Sequence, residues 1–301
     1  MTSPVTDTAG DLEALAERLE ASGRYRILRQ LESCTLAPIS DPATLKQGIV
    51  LDTETTGVDA ARDEVIELAM VPFQYDSEGR VCGVGEAFTA LREPTKPIPE
   101  VITRITGITD AMVVGQTIDP DAVARFVEPA VLMVAHNARF DRRFVERLDP
   151  VFAAKAWACS MTQIDWASHG FEGSKLSYLA NQSGFFFGGH RGENDCLATL
   201  EILGRPLSGG RTALAHLLEA ARQPTWRVWA VGAHYDLRET LKQRGYRWNG
   251  EEGPLPKAWY RDVPDADHAA EFDFLRGEIY RGEGPAWSRK ITAFERFSDR
   301  V

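Results

Sequence analysis

Apolar positions first recur at helical spacing. Leu12, Leu15 and Leu19 predict a short helix with Asp11 as its N-cap. Residues 1–10 before it are small and polar and predict a disordered terminus, and Tyr25 to Leu31 is a mixed run of undecided type. The rhythm then turns to strands. Gly48-Ile-Val-Leu51 runs into Asp52-Thr-Glu-Thr-Thr-Gly57, a strand that stops at a glycine. Glu64 to Tyr75 predicts a second strand, Asp76 to Gly79 a turn, and Val81 to Leu91 a third strand, together a meander.

Beyond the meander the period becomes helical. Pro99 to Ile105 and Pro120 to Val127 predict short helices, Val131 to Val134 a buried strand, and Ala138 to Leu148 a helix. Ser174 to Ser183, Arg191 to Leu203 and Arg211 to Arg222 predict three more helices. Strands followed by alternating helix and strand predict the α/β class, a mixed sheet flanked by helices. Gln223-Pro224 marks a boundary, because five of the seven tryptophans lie at or after Trp226. The last stretch reads as strand (Trp226 to Val231), helix (Leu237 to Arg244), two strands (Tyr246 to Trp248 and Ala258 to Arg261, around the Gly250 to Pro256 loop), helix (Ala269 to Tyr280) and strand (Lys290 to Phe297). That β-α-β-β-α-β order belongs to a small α+β unit of ferredoxin-like type. Three regions follow: an N-terminal helical arm at 1–45, a main domain at 46–224 and the α+β domain at 225–301.

Composition sets bounds on this outline. The chain has 301 residues, 44% of them hydrophobic and 26% charged, as globular domains do. The apolar run Ala130 to Ala135 falls far short of the roughly 20 residues that span a bilayer. The opening MTSPVTDTAGDLEAL is acidic and lacks the apolar core of a secretory signal. Four scattered cysteines (Cys34, Cys82, Cys159, Cys196) with no CxxC pair argue for a reducing compartment and for packing roles. The expectation is a cytoplasmic protein without a membrane partner.

Net charge is −10, which by itself argues against a polyanionic partner. From Thr225 onward, however, 13 basic residues balance 13 acidic ones, so the first 224 residues carry the whole deficit. Either that part avoids nucleic acid, or its acids hold cations that meet phosphate instead.

Three short segments carry the candidate chemistry. Asp52 and Glu54, two apart on a strand, point to the same face and raise each other's pKa unless a cation neutralises them. His136-Asn-Ala-Arg-Phe-Asp141 opens a helix, where Asn137 can cap and Asp141 can favour the dipole. His190-Arg-Gly-Glu-Asn-Asp195 again precedes and enters a helix. Taken singly, each has a plain structural reading as a solvated strand end or a helix cap. Taken together, in this order, DTETTG at 52–57, HNxxFD at 136–141 and HxxxxD at 190–195 resemble the three motifs of the DEDDh 3′–5′ exonucleases, in the style of the proofreading epsilon subunit of bacterial DNA polymerase III. The segment ITGITD at 105–110 is similar to an intervening family segment, with Thr106 where a His often stands. The resemblance covers about residues 46–205.

It implies an RNase H-like mixed sheet and two divalent cations, Mg²⁺ or Mn²⁺, for which oxygen-only donors are suited. By carry-over, Asp52, Glu54 and Asp195 hold the first ion, Asp52 bridges to the second, and Asp141 helps to hold that one. His190 becomes the general base toward the attacking water, and the product is a nucleoside 5′-monophosphate. Thr55, Thr56, Gly57, Thr106, Gly107, Asn137 and Phe140 are the implied contacts to the terminal nucleotide, with Phe140 equally at home in a core. Gly57 suits a tight turn and close substrate approach. His190 in place of Tyr points away from the sister class that uses tyrosine there.

The implied substrate is the 3′ end of single-stranded DNA, with RNA as the alternative. A DNA polymerase or replication partner would offset the weak overall basicity, and a non-catalytic binding or scaffold subunit is the competing class. Two further segments bear on partners. In the α+β unit, Arg238, Lys242, Arg244, Arg247, Lys257 and Arg261 alternate with Tyr246, Trp248, Trp259 and Tyr260, as in single-strand stacking platforms or a small aromatic core. Gln182 to Phe186 superficially matches a sliding-clamp peptide but lies where Phe185 to Phe187 are more simply buried.

Overall fold

The computed structural model describes residues 9–39, 41–250, 252–253 and 255–301. In chain order the elements are α1 (Ala9–Ala21), β1 (Arg29–Gln30), β2 (Lys46–Thr55), β3 (Val65–Tyr75), β4 (Val81–Val84), β5 (Phe88–Leu91), α2 (Glu100–Thr106), α3 (Asp110–Val113) and α4 (Pro120–Val127). They continue with β6 (Leu132–Ala135), α5 (Ala138–Leu148), β7 (Trp157–Cys159), α6 (Leu176–Gln182), β8 (Phe185–Phe186), α7 (Gly192–Gly204) and α8 (Ala213–Arg222). The last are β9 (Thr225–Ala230), α9 (Arg238–Gln243), β10 (Arg247–Trp248), β11 (Trp259–Pro264), α10 (His268–Phe274) and β12 (Trp287–Ile291).

The main sheet runs β4-β3-β2-β6-β7, with β5 also on β3. The pairs β2–β3, β3–β4 and β3–β5 are antiparallel, whereas β2–β6 and β6–β7 are parallel. This is the expected mixed sheet. Alternation along β2 splits the core in two. Val50, with Ala69, Val71 and Phe73 of β3, packs under α6, α7 and α8, while Ile49, Leu51, Leu68 and Met70 pack under α4 and α5.

Several elements differ from the sequence expectation. The single strand predicted at Val81 to Leu91 is two segments on one edge of β3, pairing Phe73 to Tyr75 and Glu67 to Met70. Pro72 lies between them and has no N–H to donate, while its carbonyl accepts from Gly85 N at 2.8 Å. The helix expected through Tyr280 widens to a π turn at Leu275–Ile279, and the strand expected through Phe297 ends at Ile291. The short strands β7 and β8 and the one-turn helix α3 carry too few residues for a period to register. Helix α1 begins at Ala9, which puts Asp11 inside its first turn instead of at the cap. The expectation of disorder at 1–10 falls, for 1–8, outside the described residues, as do positions 251 and 254 of the Gly250 to Pro256 loop.

The segment after α1 lies along the main sheet's helices. β1 pairs in parallel with β8, Thr35 N donates to Glu201 at 2.7 Å, and Ala37 N donates to Val81 O at 2.7 Å. The clamp-like peptide is therefore paired, with Phe185 buried and Phe187 half-buried, whereas Phe186, expected to be buried, is exposed. From β9 onward a second sheet forms in the order β10-β11-β9-β12, entirely antiparallel, which is the strand order of a split β-α-β unit. Most of its aromatic and basic residues are consumed internally. Trp229 is buried and stacks on Trp287. The buried Glu271 takes Tyr246, Arg244 and Arg261. No helix among the described residues is long and apolar enough to cross a membrane.

The chain's last ten residues return to the main sheet. Arg142 on α5 is wholly buried and donates to Arg296 O at 2.7 Å, Phe294 O at 2.6 Å and Ala293 O at 3.3 Å, with Glu146 at 2.7 Å. Its face lies over Trp157 at 5.3 Å, and Trp157 N donates to Ala293 O. Arg142→Ala would strip three carbonyls and a carboxylate of their buried partner. We expect a loss of about 3 kcal/mol in thermal unfolding, with faster proteolysis at 292–301 read by mass spectrometry.

Candidate active site

Strand β2 delivers Asp52 and Glu54 to one face because they are two residues apart, and that face is the one covered by α7. Asp195, in the first turn of α7, completes the group: one ligand atom from each of Asp52, Glu54 and Asp195 lies within 4.8 Å of the others. Thr53, between the two acids, points to the opposite face. There its N–H and hydroxyl donate to Asp141 Oδ1 at 3.0 and 2.9 Å. Asp141 thus arrives from α5, across the sheet, and meets the others at the strand's end. A bulge follows immediately, since Glu54 pairs with Glu67 while Thr55 pairs with Val65.

The approach of α7 depends on small residues. A Cβ on Gly192 would sit 2.6 Å from Ala69 Cβ, and Cys196 one turn later places its sulfur 3.5 Å from Val50 O. Glu67 of β3 holds the helix end: its buried carboxylate accepts from Gly192 N at 3.1 Å and from Arg191 Nη2 at 3.1 Å. Arg191 N in turn donates to Asp195 Oδ2 at 3.2 Å. Sequence reasoning passed over Glu67. The available signal was an acid inside the otherwise apolar run Val65-Ile-Glu-Leu-Ala-Met-Val71. His190 precedes this helix with a left-handed backbone (φ 61°) and an exposed ring beside Asp195. His136 has a different task. Its ring lies 2.9 Å from Ser160 Oγ and 2.8 Å from Ser174 O, and burial lowers its pKa to about 4, so it stays neutral.

The electrostatics are those of crowded, buried acids. Burial first, then the charges of Asp141, Asp195, Glu54 and Glu67, push Asp52 well above the usual carboxylate range. Burial, with Asp195 and Glu67 next, raises Glu54 to about 7. Asp141 rises to about 7 through burial despite its two bonds from Thr53, and Asp195 to about 6. Such a cluster takes up protons or a cation. The donors are all oxygen, and their spacing fits a hard divalent ion.

The remaining candidates serve the surrounding backbone. Thr55 Oγ1 donates to Gly57 O at 2.5 Å, and Thr56 Oγ1 accepts from Glu64 N at 3.0 Å. The group closest to a Cβ built on Gly57 is the Asp63 carboxylate, 2.5 Å away, and its φ is not positive. Thr106 ends α2, bonded to Ile102 O and Ile108 N, and Gly107 caps that helix at φ 74°. Asn137 is left-handed at φ 86°, and Phe140 packs on Phe144 at 5.0 Å. No hydrogen bond or ring contact among the described residues ties Thr106, Gly107, Asn137 or Phe140 to the acids.

The family model described as an exonuclease matches residues 49–203, which is half of the chain and includes all four acids and His190. The chain belongs to this exonuclease family. It is 30% identical over 201 residues to the DNA polymerase III subunit epsilon of Aquifex aeolicus, covering 64% of this chain and 89% of that one. It is also 30% identical over 184 residues to the subunit of the same name in Treponema pallidum, covering 58% and 82%. Among solved structures it is similar to Exonuclease X in complex with 5′ overhanging duplex DNA, at 23% identity and a TM-score of 0.42, covering 56% of this chain and 99% of that one. Escherichia coli Exonuclease I in complex with a dA16 oligonucleotide matches at 17% identity and a TM-score of 0.48, covering 80% and 74%. The exonuclease is therefore a nuclease of the hydrolase class, built on the mixed sheet that its motifs implied.

Two tests follow from this geometry. The raised acids hold protons between about pH 4 and 7 that the unfolded chain has released, so in EDTA their contribution to stability falls as pH rises through that window. Glu54→Gln should therefore melt above wild type at pH 8 in EDTA and level with it at pH 5, and added Mn²⁺ should raise only the wild type's melting temperature strongly. Gly192→Ala should push the start of α7 off β3, costing about 1–3 kcal/mol by overpacking, and should weaken Mn²⁺ binding measured by calorimetry.

Proposed function

We propose that this exonuclease removes nucleotides from the 3′ ends of DNA in a divalent-metal-dependent hydrolysis and releases nucleoside 5′-monophosphates. The observation that carries the reading is the meeting of Asp52, Glu54 and Asp195 within 4.8 Å at one strand end, with Asp141 entering from the opposite face and His190 at the rim. The relatives named as DNA polymerase III epsilon subunits support DNA over RNA as the substrate.

In this reading Asp52, Glu54 and Asp195 hold one ion of Mg²⁺ or Mn²⁺, and Asp52 and Asp141 a second. When bound, such a pair neutralises charge on the scissile phosphate and aligns attacking and leaving oxygens for in-line displacement. Thr53 fixes Asp141 through two hydrogen bonds, so that carboxylate is oriented before anything binds. Glu67 fixes the start of α7 and with it Asp195. His190 takes the proton from the attacking water. Its exposed position leaves the ring free to reach a substrate-side water and pass the proton to solvent. A tether to a polymerase would supply the local substrate concentration that an acidic catalytic unit lacks on its own.

A time course on 5′-labelled single-stranded DNA and RNA, with Mg²⁺, Mn²⁺ or EDTA, checks the assignment. The expected result is a ladder shortening from the 3′ end of DNA, abolished by EDTA and by Asp195→Ala. His190→Ala should lower the rate about 10²–10⁴-fold. Asp52→Asn should be inactive yet melt higher than wild type in EDTA, because it relieves repulsion among buried acids. Faster loss of RNA would replace the substrate and keep the site. No shortening by folded, metal-supplied protein would overturn the function.

A further inference from the structure

A cleft of about 670 Å³ separates the main sheet from the C-terminal unit, and its lining contains Arg139, Arg227, Arg247 and Arg296 against a single carboxylate side chain, Asp262. In a chain of net charge −10 this is a local excess of cations. Asp262 is already shared. Both its oxygens take Arg227, at 2.7 and 2.8 Å, and Arg247 lies 3.8 Å away with 58% of its side chain exposed. Arg296 spends its donors on neutral carbonyls, Ala221 O and Gln223 O, and feels the charges of Asp262 and Glu295 without a hydrogen bond to either. Arg139 is exposed and makes no ion pair among the described residues.

The cleft and the acid cluster share the first turn of α5. Arg139 and Asp141 lie two apart in the first turn of α5, so they leave the helix on different sides. Asp141 reaches Thr53 and the acid cluster, and Arg139 lines the cleft. The floor also carries aromatic surface. Phe297 lines it, while the Tyr260 ring, outside the lining, lies against Arg227 at 4.7 Å and Arg247 at 5.2 Å and so positions both guanidiniums.

We infer that this cleft receives the single-stranded stretch of substrate behind the 3′ end, its phosphates on the guanidinium groups and a base against Phe297. The inference rests on the proposed nuclease function and deepens it by giving the C-terminal unit a substrate role. Single strands are held in this manner by cationic grooves combined with rings. The arrangement also separates two tasks that one surface cannot perform together. The carboxylates need cations to tolerate phosphate, whereas the arginines attract it directly.

The test uses the full chain with Arg139→Glu and Arg247→Glu, both at exposed positions, and with Arg247→Lys as the charge-preserving control. A 20-nucleotide strand and a trinucleotide too short to fill the cleft are compared. KM for the long strand should rise about tenfold or more in each charge reversal, and the slope of log KM against log salt should fall by about 0.7 per cation removed. The trinucleotide's kcat/KM should stay within twofold of wild type, and Arg247→Lys should retain most long-strand affinity. Anisotropy of the labelled 20-mer in EDTA should show the same losses without any turnover. Equal long-strand KM and anisotropy in wild type and variants, or equal losses on both substrates, would overturn the inference. If wild type shortens neither substrate, the nuclease function fails, and the anisotropy alone decides whether the cleft binds a strand.

Discussion

Mutual repulsion among buried carboxylates is the constraint on which the rest of this structure depends. Asp52, Glu54, Asp141 and Asp195, with Glu67 behind them, are brought to one end of β2 at the expense of their own ionisation. The fold opposes that repulsion by direct means. Thr53 binds Asp141 from the strand itself. Glu67 is offset by the first N–H of α7 and by Arg191. Each device fixes an acid from its far side and leaves the cluster's centre to a cation. The surrounding hydrophobic layers, one on each face of the sheet, keep these devices from relaxing apart.

The acids were legible in the sequence because their chemistry is local. Two residues apart on a strand dictates a shared face, and an acid just inside a helix dictates a position near the sheet's end. That α7 presses on β2 was not legible, because it depends on Gly192 meeting Ala69 and Cys196 meeting Val50 across more than 100 positions of sequence. Glu67 was missed for the same reason, since its partner lies on a helix 125 residues away. Long periodic helices such as α5 and α8 were read nearly to the residue. The two-residue strands β1 and β8 exist only because each supplies the other's hydrogen bonds. The split of β4 from β5 turned on a single missing N–H at Pro72. For Thr55, Thr56 and Thr106 the structure gives backbone roles that the motif alone did not suggest.

The C-terminal unit illustrates how composition can mislead about surface chemistry. A run of arginines among tryptophans invites a stacking platform over the whole sheet. In the folded unit, Glu271 takes Arg244 and Arg261, and Trp229 is interior. What remains is a narrower feature at the seam with the main sheet. That seam is pinned beside the cleft: Arg142 gathers three carbonyls of the returning tail, and Arg296 reaches Ala221 and Gln223 on the other side. The buried guanidinium of Arg142 and the half-buried one of Arg296 thus fix how the second sheet meets the first.

This rigidity bears on the acidity of the chain. A chain whose first 224 residues carry the whole −10 cannot gather a polyanion by its long-range field. It can act on phosphate only where cations stand between the two, and those positions must be few and fixed. In the proposed function the carboxylate cluster supplies one, by holding a divalent cation on its oxygens. The seam supplies the other from its arginines, and because Arg139 and Asp141 share the first turn of α5, the two are registered to each other by a single helix. Acidity elsewhere then disfavours unproductive binding along the remaining surface, so the low net charge and the two local cationic positions belong to the same design.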